Sequence, residues 1–153
     1  MTNSKPWVLG LTGGIASGKT TVSDYLASKG CLVADADAES RSLTAPGGAA
    51  MPEMENSPYA VIAIPLFPSI LQLRPILSRL LVIDCPMPLQ CERLRSRSGL
   101  SREESLAIIR AQSRRWERIE EADDVIVNAG SLPELLSAAD TLHQRYLRAA
   151  EAA

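Results

Sequence analysis

The sequence predicts an α/β fold, a parallel sheet of about five strands with helices on both faces. Three observations carry that prediction. Short apolar runs alternate with amphipathic stretches along the 153 residues. The connections between runs are long enough for helical crossovers, which parallel strands require. Gly13-Gly14-Ile15-Ala16-Ser17-Gly18-Lys19-Thr20 satisfies the phosphate-binding pattern G-x-x-x-x-G-K-[ST] at every fixed position and stands between a candidate strand and a candidate helix. The length suits a single domain, residues 1–153, and an apolar content of 46% can fill its core.

Taken in order, Trp7 to Thr12 is an apolar run suited to a buried strand. Thr20 to Ser28 puts Val22, Tyr25 and Leu26 at helical spacing, and Gly30 follows as a terminating glycine. Cys31 to Ala34 is the second strand, closed by Asp35-Ala36-Asp37. A turn or two of helix over Ala38 to Leu43 leads into Thr44 to Pro58, where Pro, Gly and small residues mark an irregular connection. Tyr59 to Ile64 is the third strand. Pro65, Pro68 and Pro75 interrupt the next apolar stretch and leave a short helix around Ser69 to Arg74. Leu80 to Asp84 is the fourth strand, and Pro88 to Ser98 a helix exposing arginines. Ser101-Arg102-Glu103-Glu104 is a capping box that opens a helix expected to run to about Arg118. Val125 to Asn128 is the fifth strand. Ser131-Leu132-Pro133-Glu134 is a second capping box, with proline in the first turn, and starts a terminal helix to about Ala149.

A formal net charge of −2 and a pI near 5.5 exclude nucleic-acid binding by bulk positive charge. No run approaches the roughly 20 apolar residues of a membrane span, and the N-terminal residues lack the apolar centre of a secretion signal. The three cysteines, Cys31, Cys85 and Cys91, are odd in number and show no C-x-x-C spacing. Such thiols behave as small hydrophobes in a reducing compartment. A cytoplasmic protein with neither nucleic-acid nor membrane partners is the expectation. Arginine far outnumbers lysine, which suits phosphate recognition by its planar fork and equally suits a GC-rich coding sequence.

The glycine-rich stretch carries the chemistry. Its glycines let the backbone curl so that successive N–H groups face phosphate oxygens, and the following helix adds the positive end of its dipole. Gly13, Gly14, Ile15, Ala16, Ser17, Gly18, Lys19, Thr20 and Thr21 form the expected cradle. Lys19 is placed to reach the β/γ-phosphates of a nucleoside triphosphate, and the Thr20 hydroxyl can ligate Mg²⁺. Asp35 and Asp37 end a strand at the sheet edge where ligands bind in open α/β folds. Because they alternate, only one of them can aim at the terminal phosphate. Asp37 is the candidate to accept a hydroxyl proton and Asp35 the candidate to support the metal, while either could instead cap the next helix. Asp84 competes with Asp35 for the metal. Arg93, Arg95 and Arg97, with Arg110, Arg114, Arg115 and Arg118, straddle two helices around Gly99, where a mobile segment could deliver a cation to a transferring phosphoryl group. Arg93 and Arg115 are the candidates. His143, the single histidine, is expected at the surface or boundary.

Leu11 to Val22, the Asp35-Ala36-Asp37 stretch, and Ala122-Asp123-Asp124-Val125-Ile126-Val127-Asn128-Ala129-Gly130 together resemble the dephospho-coenzyme A kinase family. The resemblance covers residues 7 to about 65 and 79 to 147. It implies a three-layer P-loop NTPase fold related to nucleoside monophosphate kinases, and transfer of the ATP γ-phosphate to the ribose 3′-hydroxyl of dephospho-coenzyme A with Mg²⁺. By position, Asp37 resembles the general base, and Asn128 and Gly130 fall where the family binds adenine. Residues 88–118 resemble the lid, with Gln112 and Arg115 matching its Q-x-x-R-like stretch. Two features depart from the pattern. The family's helical coenzyme A-binding segment has no counterpart in the shortened region 44–58, and Pro65-Leu66-Phe67-Pro68-Ser69 lacks the glutamate of P-L-L-x-E. Two alternatives follow from the shortened acceptor region: a nucleotide-binding chain that transfers nothing, or a kinase of a smaller alcohol. A monomer or weak homo-oligomer is expected, with apolar surface left uncovered by the shortening.

Overall fold

The computed structural model describes residues 6–36, 57–112 and 114–153. Its elements are β1 (Val8–Gly13), α1 (Lys19–Ser28), β2 (Leu32–Asp35), β3 (Ala60–Ile64), α2 (Phe67–Leu73), β4 (Arg79–Asp84), α3 (Met87–Ser98), α4 (Arg102–Gln112), α5 (Arg115–Glu121), β5 (Asp124–Val127) and α6 (Leu132–Ala152). A 3₁₀ turn, Arg74–Ile76, follows α2. The sheet runs β2-β3-β1-β4-β5 with every pairing parallel. The central position of β1 explains its composition. A strand flanked on both sides and covered on both faces has no polar side to offer, so Val8–Gly13 is buried throughout.

Alternation along the strands sorts the core into two layers. Leu9 and Leu11 of β1 face α1 and α6, packing with Val22, Leu26, Leu135 and Tyr146. Val8 faces the opposite side with Ile62, Ile64, Leu80 and Val82, and is covered by Ile70 and Leu73 of α2. A third cluster, Cys91, Leu94 and Ile109, joins α3 to α4 and packs on Ile15 and Ala16. Helices α3 and α4 therefore rest on the glycine-rich loop itself. All three cysteines are free and buried, as small hydrophobes should be.

Local signals place the helix ends. Gly30 takes φ +93° just past α1, and its N–H donates to the Ala27 carbonyl at 3.0 Å. Both capping boxes form: Glu104 N–H donates to Ser101 Oγ at 3.1 Å, and Glu134 N–H to Ser131 Oγ at 3.3 Å.

Two expectations are corrected. The helix opened by Ser101 stops at Gln112, and a separate helix starts at Arg115. Arg114 leaves the helical region (φ −139°, ψ 39°) and caps the new helix, its carbonyl accepting the Arg118 N–H at 2.8 Å. Tertiary contacts on both sides of the break, Gln112 to the loop and Arg115 to β4, override a helical propensity that runs through. His143 is buried, not superficial: it is 3% exposed and its Nδ1 lies 2.7 Å from the Tyr59 hydroxyl. The predicted helix at Ala38 to Leu43 and the catalytic candidate Asp37 lie outside the described residues. Among the described residues no helix is long and apolar enough to cross a membrane.

Candidate functional site

The site is built where β1 turns into α1. A Cβ on Gly13 would come within 2.5 Å of Ser17 Oγ and 2.6 Å of the Ile83 carbonyl oxygen, so only glycine lets the chain turn this close to β4. Ala16 (φ 59°) and Gly18 (φ 102°) take left-handed conformations, and the Ser17 N–H donates to the Gly14 carbonyl at 3.2 Å. A Cβ on Gly18 would sit 2.5 Å from Asn128 Nδ2. That amide, buried at the end of β5, donates to the Ser17 carbonyl at 2.9 Å and braces the loop from behind.

Two glutamines hold the other end. Gln112 Oε1 accepts the Ile15 N–H at 3.1 Å, and Gln90 Nε2 donates to the Ile15 carbonyl at 2.9 Å. The two peptide groups that flank Ile15 are thereby fixed, one by each of α4 and α3. A Cβ on Gly14 would meet Gln90 Nε2 at 2.7 Å, so a side chain there would push the Gln90 amide off the loop. Gln90 is missed by sequence reasoning, because a lone glutamine in a mostly polar helix carries no periodic signal. Gln112 is reached only through the family resemblance.

Lys19 opens α1. Burial pushes its ammonium below the ordinary lysine value, Asp35 counteracts this, and the Arg118 guanidinium adds to it. Asp35 stands exposed at the C-terminal end of β2, and Thr20 is exposed on the first turn of α1. Asp84 is buried at the end of β4 and is gripped by Arg115 through Nε at 2.8 Å and Nη2 at 2.9 Å. Arg93 Nη1 lies 3.2 Å from Cys85 Sγ. Arg93 also lines a second hollow, on the Gly18 side of the loop, with Arg97, Thr21, Asn128, Gly130 and Leu132. The arginines and the other loop-side candidates thus gather at two places: Arg115 and Arg118 around the Gly14 end, and Arg93, Thr21, Asn128 and Gly130 around the Gly18 end.

A family model described as "Dephospho-CoA kinase" matches residues 7–57 and 49–134. The chain belongs to the dephospho-CoA kinase family. The protein named dephospho-CoA kinase in Aromatoleum aromaticum is 34% identical over 202 residues, covering 98% of this chain and 98% of that protein. Its namesake in Bordetella pertussis is 37% identical over 199 residues, covering 95% and 93%. Both alignments are longer than the 153 residues of this dephospho-CoA kinase homologue, so these relatives carry residues that it lacks. The two stretches matched by the family model overlap at residues 49–57, which places the skipped part between β2 and β3. A solved Thermus thermophilus protein superposes with a TM-score of 0.66 at 26% identity, covering 93% of this chain and 98% of its own. A shikimate kinase from Acinetobacter baumannii, solved with shikimate, superposes with a TM-score of 0.61 at 20% identity over 95% and 94% of the two chains. The latter likeness is one of fold. This homologue is a kinase of the P-loop type in its architecture and in its loop.

Proposed function

We propose that this chain transfers the γ-phosphate of ATP to the ribose 3′-hydroxyl of dephospho-coenzyme A, with Mg²⁺, completing coenzyme A synthesis in the cytoplasm. The observation that carries the proposal is the cradle itself: a loop with no room for a side chain at Gly13 and a left-handed turn at Gly18, with Lys19 following it, in a chain of this family. The fit to a polyphosphate is chemical as well as geometric. Lys19 is a partly buried cation that an anion would stabilise, and Ser17 Oγ is buried without a partner.

The residues divide the work as follows. Gly13 to Thr21 bind the phosphates, and Lys19 neutralises the β/γ-oxygens. Asn128 and Gly130 line the hollow beside Gly18 that suits the base of the nucleotide. Thr20 and Asp35 would hold the magnesium shell, which needs only one or two protein oxygens besides substrate phosphates. When bound, that ion supplies neutralisation of charge on the transferring group. Asp37 accepts the proton of the attacking hydroxyl, the new P–O bond forms as the β–γ bridge breaks, and ADP leaves. Arg93 and Arg115 are lid cations for the phosphates, and Arg115 must first loosen its grip on Asp84. ATP and dephospho-coenzyme A are the partners, with no nucleic acid or membrane and a monomer or weak homo-oligomer as the assembly.

The test is ADP release and product mass with Mg-ATP and dephospho-coenzyme A, beside Lys19→Ala. The expected result is a product heavier by one phosphate, with Lys19→Ala slower by at least about 10²-fold in kcat, as for loss of one preorganised transition-state contact. A protein whose Tm rises equally with ATP and ADP, but which phosphorylates nothing, would establish the second reading: a nucleotide-binding chain without transfer. That reading is favoured by one observation, the stretch its relatives carry and it lacks.

A further inference from the structure

We propose that Arg118 is the side chain that meets the transferred phosphoryl group, closing the Gly14 end of the cradle across from Lys19; this rests on the ATP-binding reading above. Arg118 is 3% exposed, yet among the described residues its Nε has no hydrogen-bond partner, and the one hydrogen bond of its side chain is a long one, Nη2 to the Gln112 carbonyl at 3.5 Å. A guanidinium stays charged at any pH the fold survives. Burying it without a counter-charge is costly, so such a group is retained where an anion arrives to complete it.

Nearby carboxylates do not complete it. Asp84 is engaged by both arms of Arg115, and Glu117 is engaged by Arg114 at 3.0 and 3.1 Å. Among the described residues, no ion pair to Arg118 forms. Its direction is set by the loop: Nη1 lies 3.9 Å from the place a Cβ on Gly14 would occupy. Arg118 and Lys19 are close enough to repel each other's charge. An anion between these two cations satisfies both at once. The terminal phosphate of a nucleoside triphosphate is the group that a loop of this kind holds beside its lysine.

The two arginines that the sequence singles out are otherwise occupied. Arg115 spends both donors on Asp84, and Arg93 lies against Cys85 Sγ and the hollow at the Gly18 end. During transfer, negative charge grows on the bridging oxygen as its bond to the γ-phosphorus breaks and the acceptor oxygen bonds to that phosphorus. A fixed fork of N–H donors at the Gly14 end stabilises that charge without reorganising.

The experiment compares wild type with Arg118→Met and Arg118→Lys by melting alone, melting with ADP and with a non-hydrolysable ATP analogue, and by single-turnover rate. Arg118→Met is expected to melt no lower than wild type without ligand, because it removes an uncompensated buried charge. It should lose at least about tenfold in affinity for the ATP analogue while ADP affinity changes less than about threefold, and its rate should fall by about 10²-fold or more. Arg118→Lys, which keeps the charge and loses the fork, should keep most of the preference for the ATP analogue and lose rate. If Arg118→Met melts several degrees lower and keeps the wild-type preference for the ATP analogue over ADP, Arg118 is structural and the proposal fails. If that variant does not fold, a wild-type preference carried unchanged into Arg118→Lys at full rate overturns it equally. Failure of wild type to bind either nucleotide would instead sink the ATP-binding reading on which the proposal stands.

Discussion

Tyr59 Oη and His143 Nδ1 lie 2.7 Å apart, inside a cluster that also contains Trp7 and Tyr146. Burial pushes the Tyr59 hydroxyl far above its ordinary range, with Cys31 and Tyr25 adding to the shift, so it stays protonated in its hydrogen bond with His143. The imidazole beside it is shifted toward its neutral form. Burial lowers its pKa, Asp140 opposes that change and Lys29 reinforces it. The sign of the consequence is fixed by linkage. A histidine whose folded pKa lies below its unfolded value of about 6.5 adds no pH dependence well above that value. Stability then declines as the pH falls through about 6.5, because the unfolded chain takes up the proton first. Urea midpoints should therefore be lower at pH 5.5 than at pH 7.5. His143→Gln, which can still accept from Tyr59 but does not titrate, should flatten the difference; a slope that survives the substitution would place its origin in other groups.

Helices α3 and α4 meet the loop at a single residue, Ile15. Its N–H is taken by Gln112 of α4 and its carbonyl by Gln90 of α3, while its side chain packs against Cys91, Leu94 and Ile109. Removing Gln112 leaves a partly buried donor unpaired. Gln112→Ala should cost about 1 kcal/mol, or about 2–4 °C in Tm for a domain of this size. If Ile15 is the coupling point, hydrogen exchange should quicken in α3 and α4 together with the Ile15 amide, leaving α6 unchanged. Faster exchange at Ile15 alone would mean that the apolar cluster holds the lid without help. At this scale the sequence was legible where local chemistry decides the outcome. All five strands fall within about two residues of their apolar runs, and both capping boxes and the Gly30 stop lie where the letters put them. It was illegible where distant residues decide: the break before Arg115, the clamp by Gln90 and the burial of His143 each depend on contacts made across dozens of residues. The loop could be read from spacing alone, but which of the eight arginines between residues 88 and 118 faces it could not, because amphipathic periodicity ranks residues by burial, and arginine is normally counted on the outside.

The whole molecule keeps its nucleotide half and shortens the rest. The order β2-β3-β1-β4-β5, the loop at the end of the central strand and the lid packed upon it form one connected unit. The length missing relative to the relatives falls between β2 and β3, beside the strand that carries Asp35. Binding of ATP and orientation of the acceptor are then separable properties. Correct placement of a second reactant supplies about 7–11 kcal/mol of a barrier, whereas the cradle owes nothing to that segment for Gly13, Gly14, Gly18, Gln90, Gln112 or Asn128. Grafting the corresponding segment of the 37% identical Bordetella pertussis relative between residues 49 and 57 should therefore raise kcat/KM for dephospho-coenzyme A by about 10²-fold or more, a fraction of what orientation can supply. Affinity for a non-hydrolysable ATP analogue should change by less than about threefold, since the graft supplies no phosphate contact to the cradle. Equal rates with and without the graft would mean that the remaining residues already orient the acceptor. A graft that instead tightens ATP binding tenfold would mean that the two halves are coupled, and that the loop described here is held open until the acceptor side is complete.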